Sequence, residues 1–180
     1  ERVLTAIARR EPDRVPINYF GNASIDRRLK AHFGLKEDDA EGLRKALGVD
    51  FRNVGVPYKG PKRPDLPGGV QVDMWGIHRR WVEHETGGYW DFCDFPLKDA
   101  DEEAVANWPM PSPDDFDYSE IKRRCAELKD YCLVVGNAGL GDIINSTGMI
   151  RTMEQVLVDL MLDEPAGLLY IDRRTAFMLE

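Results

Sequence analysis

The chain has 180 residues, 43% hydrophobic and 31% charged, which is ordinary globular composition and long enough to bury a core. Thirty-two acidic residues against 24 lysines and arginines leave a net charge of −8, so nucleic-acid backbones and anionic membranes are repelled on average and neither is an expected partner. Three cysteines, Cys93, Cys125 and Cys132, are an odd number without a Cys-x-x-Cys pair, which argues against a disulfide framework and a zinc ribbon and for a reducing cytoplasm.

Residues 1–10 place Val3, Leu4, Ile7 and Ala8 on one helical face, and Pro12 is expected to stop that helix. The opening Glu1-Arg2-Val3-Leu4 is no basic-then-apolar leader, and no window approaches the ~18 apolar residues of a membrane span. Val15 to Phe20, bounded by Pro16 and Gly21, reads as a first buried strand. Ser24 is a candidate cap for a helix to about Phe33 with Gly34 as terminator, and Asp38 or Asp39 starts another that ends at Gly48. Phe51 to Val56 is extended, and the prolines and glycines of residues 59–69 make a surface loop.

Residues 70–94 alternate as strands do, with Gly87-Gly88 placed for a hairpin turn. Asp99 to Asn107 predicts a short acidic helix, Pro109, Pro111 and Pro113 a linker, Tyr118 to Leu128 a helix, and Tyr131 to Val135 the next buried strand. Met153, Val156, Leu157, Leu160 and Met161 follow the spacing of a helix face, opened by a Thr152/Gln155 capping box, and Pro165 fits the first turn of a final helix to about Leu179. Strand-then-helix order repeated along the chain predicts an α/β fold with a parallel sheet. Only about three core strands are visible, whereas a closed barrel takes eight strands and about 250 residues, so the expectation is one domain over 1–180 that forms part of a barrel, with a β-hairpin insertion at about 70–94 and an edge inviting self-association.

The run Glu1-Arg2-Val3-Leu4 through Glu11-Pro12-Asp13-Arg14-Val15-Pro16 resembles the opening of the uroporphyrinogen decarboxylase superfamily, which includes cobalamin-dependent methyltransferases. Asp73-Met74-Trp75-Gly76, the turn from Phe95-Pro96 to Ala100, the linker from Trp108-Pro109 to Pro113, and Asp159-Leu160-Met161 with Asp163-Glu164-Pro165 look like landmarks of its methyltransferase-like members. The resemblance covers nearly the whole chain and implies the N-terminal part of a (β/α)8 TIM-type barrel, with its site at the C-terminal ends of the strands.

Decarboxylases carry Arg-Gln-Ala-Gly-Arg after the Val-Pro strand, where two guanidinium groups suit the substrate carboxylates; here the positions read Gly21-Asn22-Ala23-Ser24-Ile25. Arg27 and Arg28 stand nearby on what reads as a solvated helix face. A decarboxylase active-site tyrosine has Asn145 at or near its position. Asn22, Tyr58 and Asn137 each follow a predicted strand and are candidate substrate-binding residues, against the alternative that each satisfies turn backbone. Asp142 and Asn145, three apart, are candidates for one helical face toward a small polar substrate, against Asp142 as a plain helix cap.

Asp73 and Trp75 resemble the superfamily's acidic position near the site, and alternation places both on one strand face; the carboxylate suits a cationic or hydroxylated group and the indole a methylated one. Filling of a hydrophobic hairpin core is the other reading of Trp75, and the favoured one for Trp81 and Trp90. His78, His84 and Cys93 have zinc-ligand chemistry but give only a weak signal, since a turn can separate the histidines and Cys93 suits a buried position, so no metal is expected on this chain. The zinc-dependent methyltransferases of the superfamily draw their ligands from the later half. No phosphate loop or serine-nucleophile elbow is present.

The resemblance therefore implies a cytoplasmic, cobamide-dependent methyltransferase component for a small methylated substrate, with the corrinoid arriving on a partner protein and zinc, if used, bound by a later half. The alternatives are a uroporphyrinogen decarboxylase, a lyase of porphyrin biosynthesis, and a non-catalytic scaffold. Count and spacing of the cysteines make a first expectation: thiol titration of denatured, unreduced protein yields three reactive thiols, and a lower number contradicts it.

Overall fold

The structure, a computed structural model, describes residues 1–85, 87–135 and 142–180, and among these residues it contains short strands and eight α-helices. It is mixed α/β with two small sheets and, among the described residues, no closed barrel. No described helix is long and apolar enough to cross a membrane. The chain divides into two compact units, one of Glu1–Gly55 and Glu120–Val135 with Glu85 and Gly87, the other of the remaining residues.

In the first unit the helices are α1 (Arg2–Ile7), α2 (Ala23–His32) and α3 (Ala40–Ala46), followed by strand β1 (Phe51–Asn53). Asn22 and Asp39 cap α2 and α3 by accepting from Ile25 N and Gly42 N, so the cap of α2 is Asn22 and not Ser24. Gly34 and Gly48, both at φ +65°, turn the chain after each helix. Helix α1 ends earlier than Pro12 requires, because Arg9 adopts φ 55°, and of its apolar face only Val3 is buried.

The expected strand at residues 15–20 does not form. Val15 is 78% and Phe20 81% exposed, and the segment is tied to Asp50, the residue before β1: Asp50 N donates to Ile17 O and Ile17 N donates to the Asp50 carboxylate. One rung, half of it from a side chain, makes no ladder, and a strand of a parallel sheet needs cover on both faces. The parallel pairing that does form joins β1 to β5 (Cys132–Val134), with Phe51 opposite Cys132 and Asn53 opposite Val134. Arg52, 3% exposed in mid-strand, is satisfied by Glu41 of α3 at 2.8 Å and stacks 3.8 Å over the Tyr131 ring.

The second unit holds the antiparallel strands β2 (Gln71–Val72) and β3 (His78–His84), and β4 (Gly87–Phe92), in this unit from Gly88 on, lies next to β3; Gly87 and Gly88, expected in a turn, are the first residues of β4. Helix α4 (Glu102–Ala106) starts at an Asp101 cap, a 3-10 turn occupies Pro113–Asp115, and α6 (Ile143–Arg151), α7 (Met153–Leu162) and α8 (Pro165–Leu179) complete the unit; α5 (Ile121–Glu127) belongs to the first. Trp75, Ile77, Leu97, Val105, Ile150, Ala166 and Tyr170 form its core.

An ion pair organises the three C-terminal helices. Arg151, 5% exposed at the side chain, meets the fully buried Asp159 at 2.5 Å and donates from Nη1 to the Leu97 and Ala100 carbonyls. Gln155 donates its side-chain amide to Asp159 at 2.9 Å, so only half of the expected capping box forms: Thr152 accepts from Gln155 N, while the glutamine side chain is used elsewhere. Helix α8 passes so close that a Cβ on Gly167 would lie 2.1 Å from the Asp159 carboxylate. The apolar stripe of α7 is helical as its spacing predicts, yet only Val156 of it is buried, with Met161 82% and Leu157 50% exposed.

Asp159→Ala strands the Arg151 charge in the core and should cost about 3–5 kcal/mol in urea denaturation, whereas the double replacement Arg151→Met/Asp159→Leu should cost less than that. Equal losses in the single and double variants contradict this account.

Candidate functional site

Asp73-Met74-Trp75-Gly76 is a turn between β2 and β3, which corrects the expectation that Asp73 and Trp75 share a strand face. The reason is the aspartate itself. One oxygen of Asp73 accepts from Trp75 N at 2.9 Å and Ile77 N at 3.0 Å, so the side chain occupies the backbone donors a strand would have used. Gly76 N closes the turn on Asp73 O at 2.9 Å, with Gly76 at φ +81°. The other carboxylate oxygen pairs with Arg79 at 3.0 Å.

The turn sends Trp75 inward, where it is 9% exposed. Its ring meets Phe177 edge-on at 4.8 Å, Phe177 lies 6.0 Å from Phe116, and Phe116 stands edge-on to Tyr58 at 5.4 Å. Trp75 and Tyr58 are therefore the two ends of one aromatic row. The Arg174 guanidinium lies 4.1 Å over the Trp75 ring, and Trp108 donates its indole N–H to Trp75 O at 3.0 Å. Tyr58 is half-buried, donates to Pro61 O at 3.2 Å, and has its phenol pushed up by burial.

Phe116, Phe177, Arg174 and Tyr170 were not anticipated as members of this cluster. A signal existed, since Ala166, Tyr170, Arg174 and Phe177 follow one another at helical spacing, which puts an arginine inside an apolar stripe.

The other candidates are engaged by local partners. Asn22 spends its side-chain oxygen on the α2 cap at 2.9 Å. Asp142 caps α6 by accepting from Asn145 N at 2.9 Å, and both residues are exposed. Asn137 lies outside the described residues. Tyr19 donates to Asp26 at 2.6 Å, and that bond pushes its phenol up to about 12. Arg27 is exposed and pairs with Glu37 at 3.5 Å. His78 Nδ1 lies 3.5 Å from Asp94, burial pushes the Cys93 thiol up, and no three metal-ligating groups gather among the described residues.

In the first unit a depression of about 890 Å³ opens between residues 1–13 and residues 129–133, at the end where β1 and β5 begin. Asp50 lines it. Burial works against the charged form of Asp50, yet the Ile17 N–H and the Arg14 and Arg2 guanidinium groups outweigh burial and hold the carboxyl below its ordinary value. Arg2 also holds Asp13 down to about 2.

Compared with models of known families, with curated proteins and with solved structures, the chain gives no match.

Because the folded-state value of Asp50 is lowered, its contribution to stability is complete above the ordinary aspartate value of about 3.9 and is lost as the pH falls below it. Asp50→Asn should therefore flatten the acid limb of the unfolding midpoint below about pH 4 while destabilising the protein at pH 7. Parallel acid limbs for the variant and the parent, followed by circular dichroism, contradict this.

Proposed function

We propose that the chain is the N-terminal part of a (β/α)8 barrel of the uroporphyrinogen decarboxylase superfamily and serves a cobamide-dependent methyltransferase acting on a small methylated compound. The observation that carries this is the parallel pairing of β1 with β5, two strands far apart in sequence, each led in by a helix. It is the strand relation a barrel uses. The order of landmarks from Arg2 to Pro165 supports the superfamily, and the row Tyr58, Phe116, Phe177 and Trp75 supports an aromatic, lightly polar wall for a methylated ligand. Asp73 acts here by fixing the turn that sets Trp75.

Decarboxylation of a polycarboxylate needs cationic anchors where the chain has Gly21 and Ile25, and Arg27, the nearby candidate, is committed to Glu37 on an exposed face. The corrinoid, supplied by a partner protein, accepts the methyl group when bound; the described residues gather no zinc site, so no step is assigned to zinc here.

The test combines the protein with its remaining barrel strands, a reduced corrinoid protein and small methyl donors, and follows the corrinoid absorbance on methylation. Methylation with no carbon dioxide released from uroporphyrinogen is the expected outcome. Carbon dioxide release without methylation establishes the decarboxylase instead, and neither reaction establishes a scaffold.

A further inference from the structure

Helix α8 turns Ala166, Tyr170, Arg174 and Phe177 to one side, and the side is the core of its unit. Tyr170 is wholly buried and Arg174 is 7% exposed. Among the described residues, neither the Tyr170 hydroxyl nor Nε and Nη1 of Arg174 has a hydrogen-bond partner. The acid in this region, Asp73, is committed to Arg79 and to its own turn, and the neighbouring Arg173 donates to Val105 O. What faces the Arg174 charge is the Trp75 ring at 4.1 Å and, farther off, the Tyr170 ring at 6.0 Å. A ring face offsets only part of the cost of taking a guanidinium out of water; the rest calls for an anion.

The guanidinium can only donate, and the Tyr170 oxygen beside it can accept from it while its own O–H stays free to donate. Burial pushes the Tyr170 phenol up, so it stays protonated and offers its O–H beside the guanidinium. Two buried donors without an acceptor are satisfied together by an oxyanion, and a planar carboxylate matches the guanidinium fork. Tyr170 is fully covered and Arg174 nearly so, which limits the guest to a single small group. We propose that Arg174 and Tyr170 form a carboxylate-binding site, gripping the acid end of a small organic acid beside Trp75. The site goes beyond the methyl-transfer reading and stands without it.

Sodium acetate is the probe, titrated into protein labelled with ¹⁵N-arginine against sodium chloride of equal ionic strength. The signal of the Arg174 Nε–H group, identified by its loss in Arg174→Lys, should move saturably with acetate, and the unfolding midpoint should rise with acetate alone. Arg174→Lys should lose the midpoint rise, and Tyr170→Phe, which removes a single oxygen, should weaken acetate binding about tenfold. If Arg174→Lys does not fold, Tyr170→Phe alone still decides. No saturable movement with acetate overturns the proposal, as does undiminished binding in Tyr170→Phe. Movement with inorganic phosphate but not with acetate overturns it as well.

Discussion

The second unit depends on the Arg151–Asp159 pair. Asp159 is wholly buried and accepts from the Arg151 guanidinium and the Gln155 amide, while Arg151 reaches on to the carbonyls of Leu97 and Ala100. Four segments thus share one buried charge pair: α6, α7, the turn before α4, and α8, which passes Asp159 at a glycine. A buried pair of this kind adds little net stability over an apolar pair, but it tolerates few alternative geometries, so it serves to fix how these helices meet. It also accounts for the exposed stripe of α7. The face carrying Asp159 and Val156 is the one turned inward, and Leu157 and Met161 fall outside it.

Asp50 has the corresponding part in the first unit with the opposite solvent exposure pattern around it. Its carboxylate collects Arg2, Arg14 and the Ile17 N–H, its own N–H reaches Ile17 O, and its carbonyl accepts Cys132 N at the start of β5. The N-terminal segment is therefore held to the β1–β5 pair by polar contacts rather than by apolar burial. That is why Val15 and Phe20 remain outside while the segment still follows a fixed path.

The aromatic row and the arginine on it show a different division of labour. Asp73 gives up the freedom of a ligand-binding carboxylate to build a turn, the turn buries Trp75, and Trp75 then provides the face on which Arg174 rests. Polar groups that the sequence offered as ligands, Asn22, Asp73 and Asp142, are each spent on backbone N–H groups nearby, as short polar side chains at helix starts and turns commonly are. Among the described residues, the buried polar atoms left over belong instead to Tyr170 and Arg174 on α8 and to His78 on β3.

The sequence by itself determined the elements whose cause is local. Proline placement, the cap at Asp39, the glycines at 34 and 48, and the β-rich composition of residues 70–94 are signals carried within a few residues, so most helices and the strand at 132–134 were legible, although the helix expected from Asp99 is capped by Asp101. Tertiary structure alone decided whether Val15 to Phe20 would become a strand, since a strand exists only when a partner ladder and cover are supplied from elsewhere. It also decided which α7 residues are buried, because periodicity defines a face and the Asp159 pair chooses its direction. Most of the candidate site was hidden for the same reason: Tyr58, Phe116, Trp75, Tyr170, Arg174 and Phe177 come from separate segments between residues 58 and 177, and a carboxylate or guanidinium is read correctly only when the groups that satisfy it, or fail to, are in place around it.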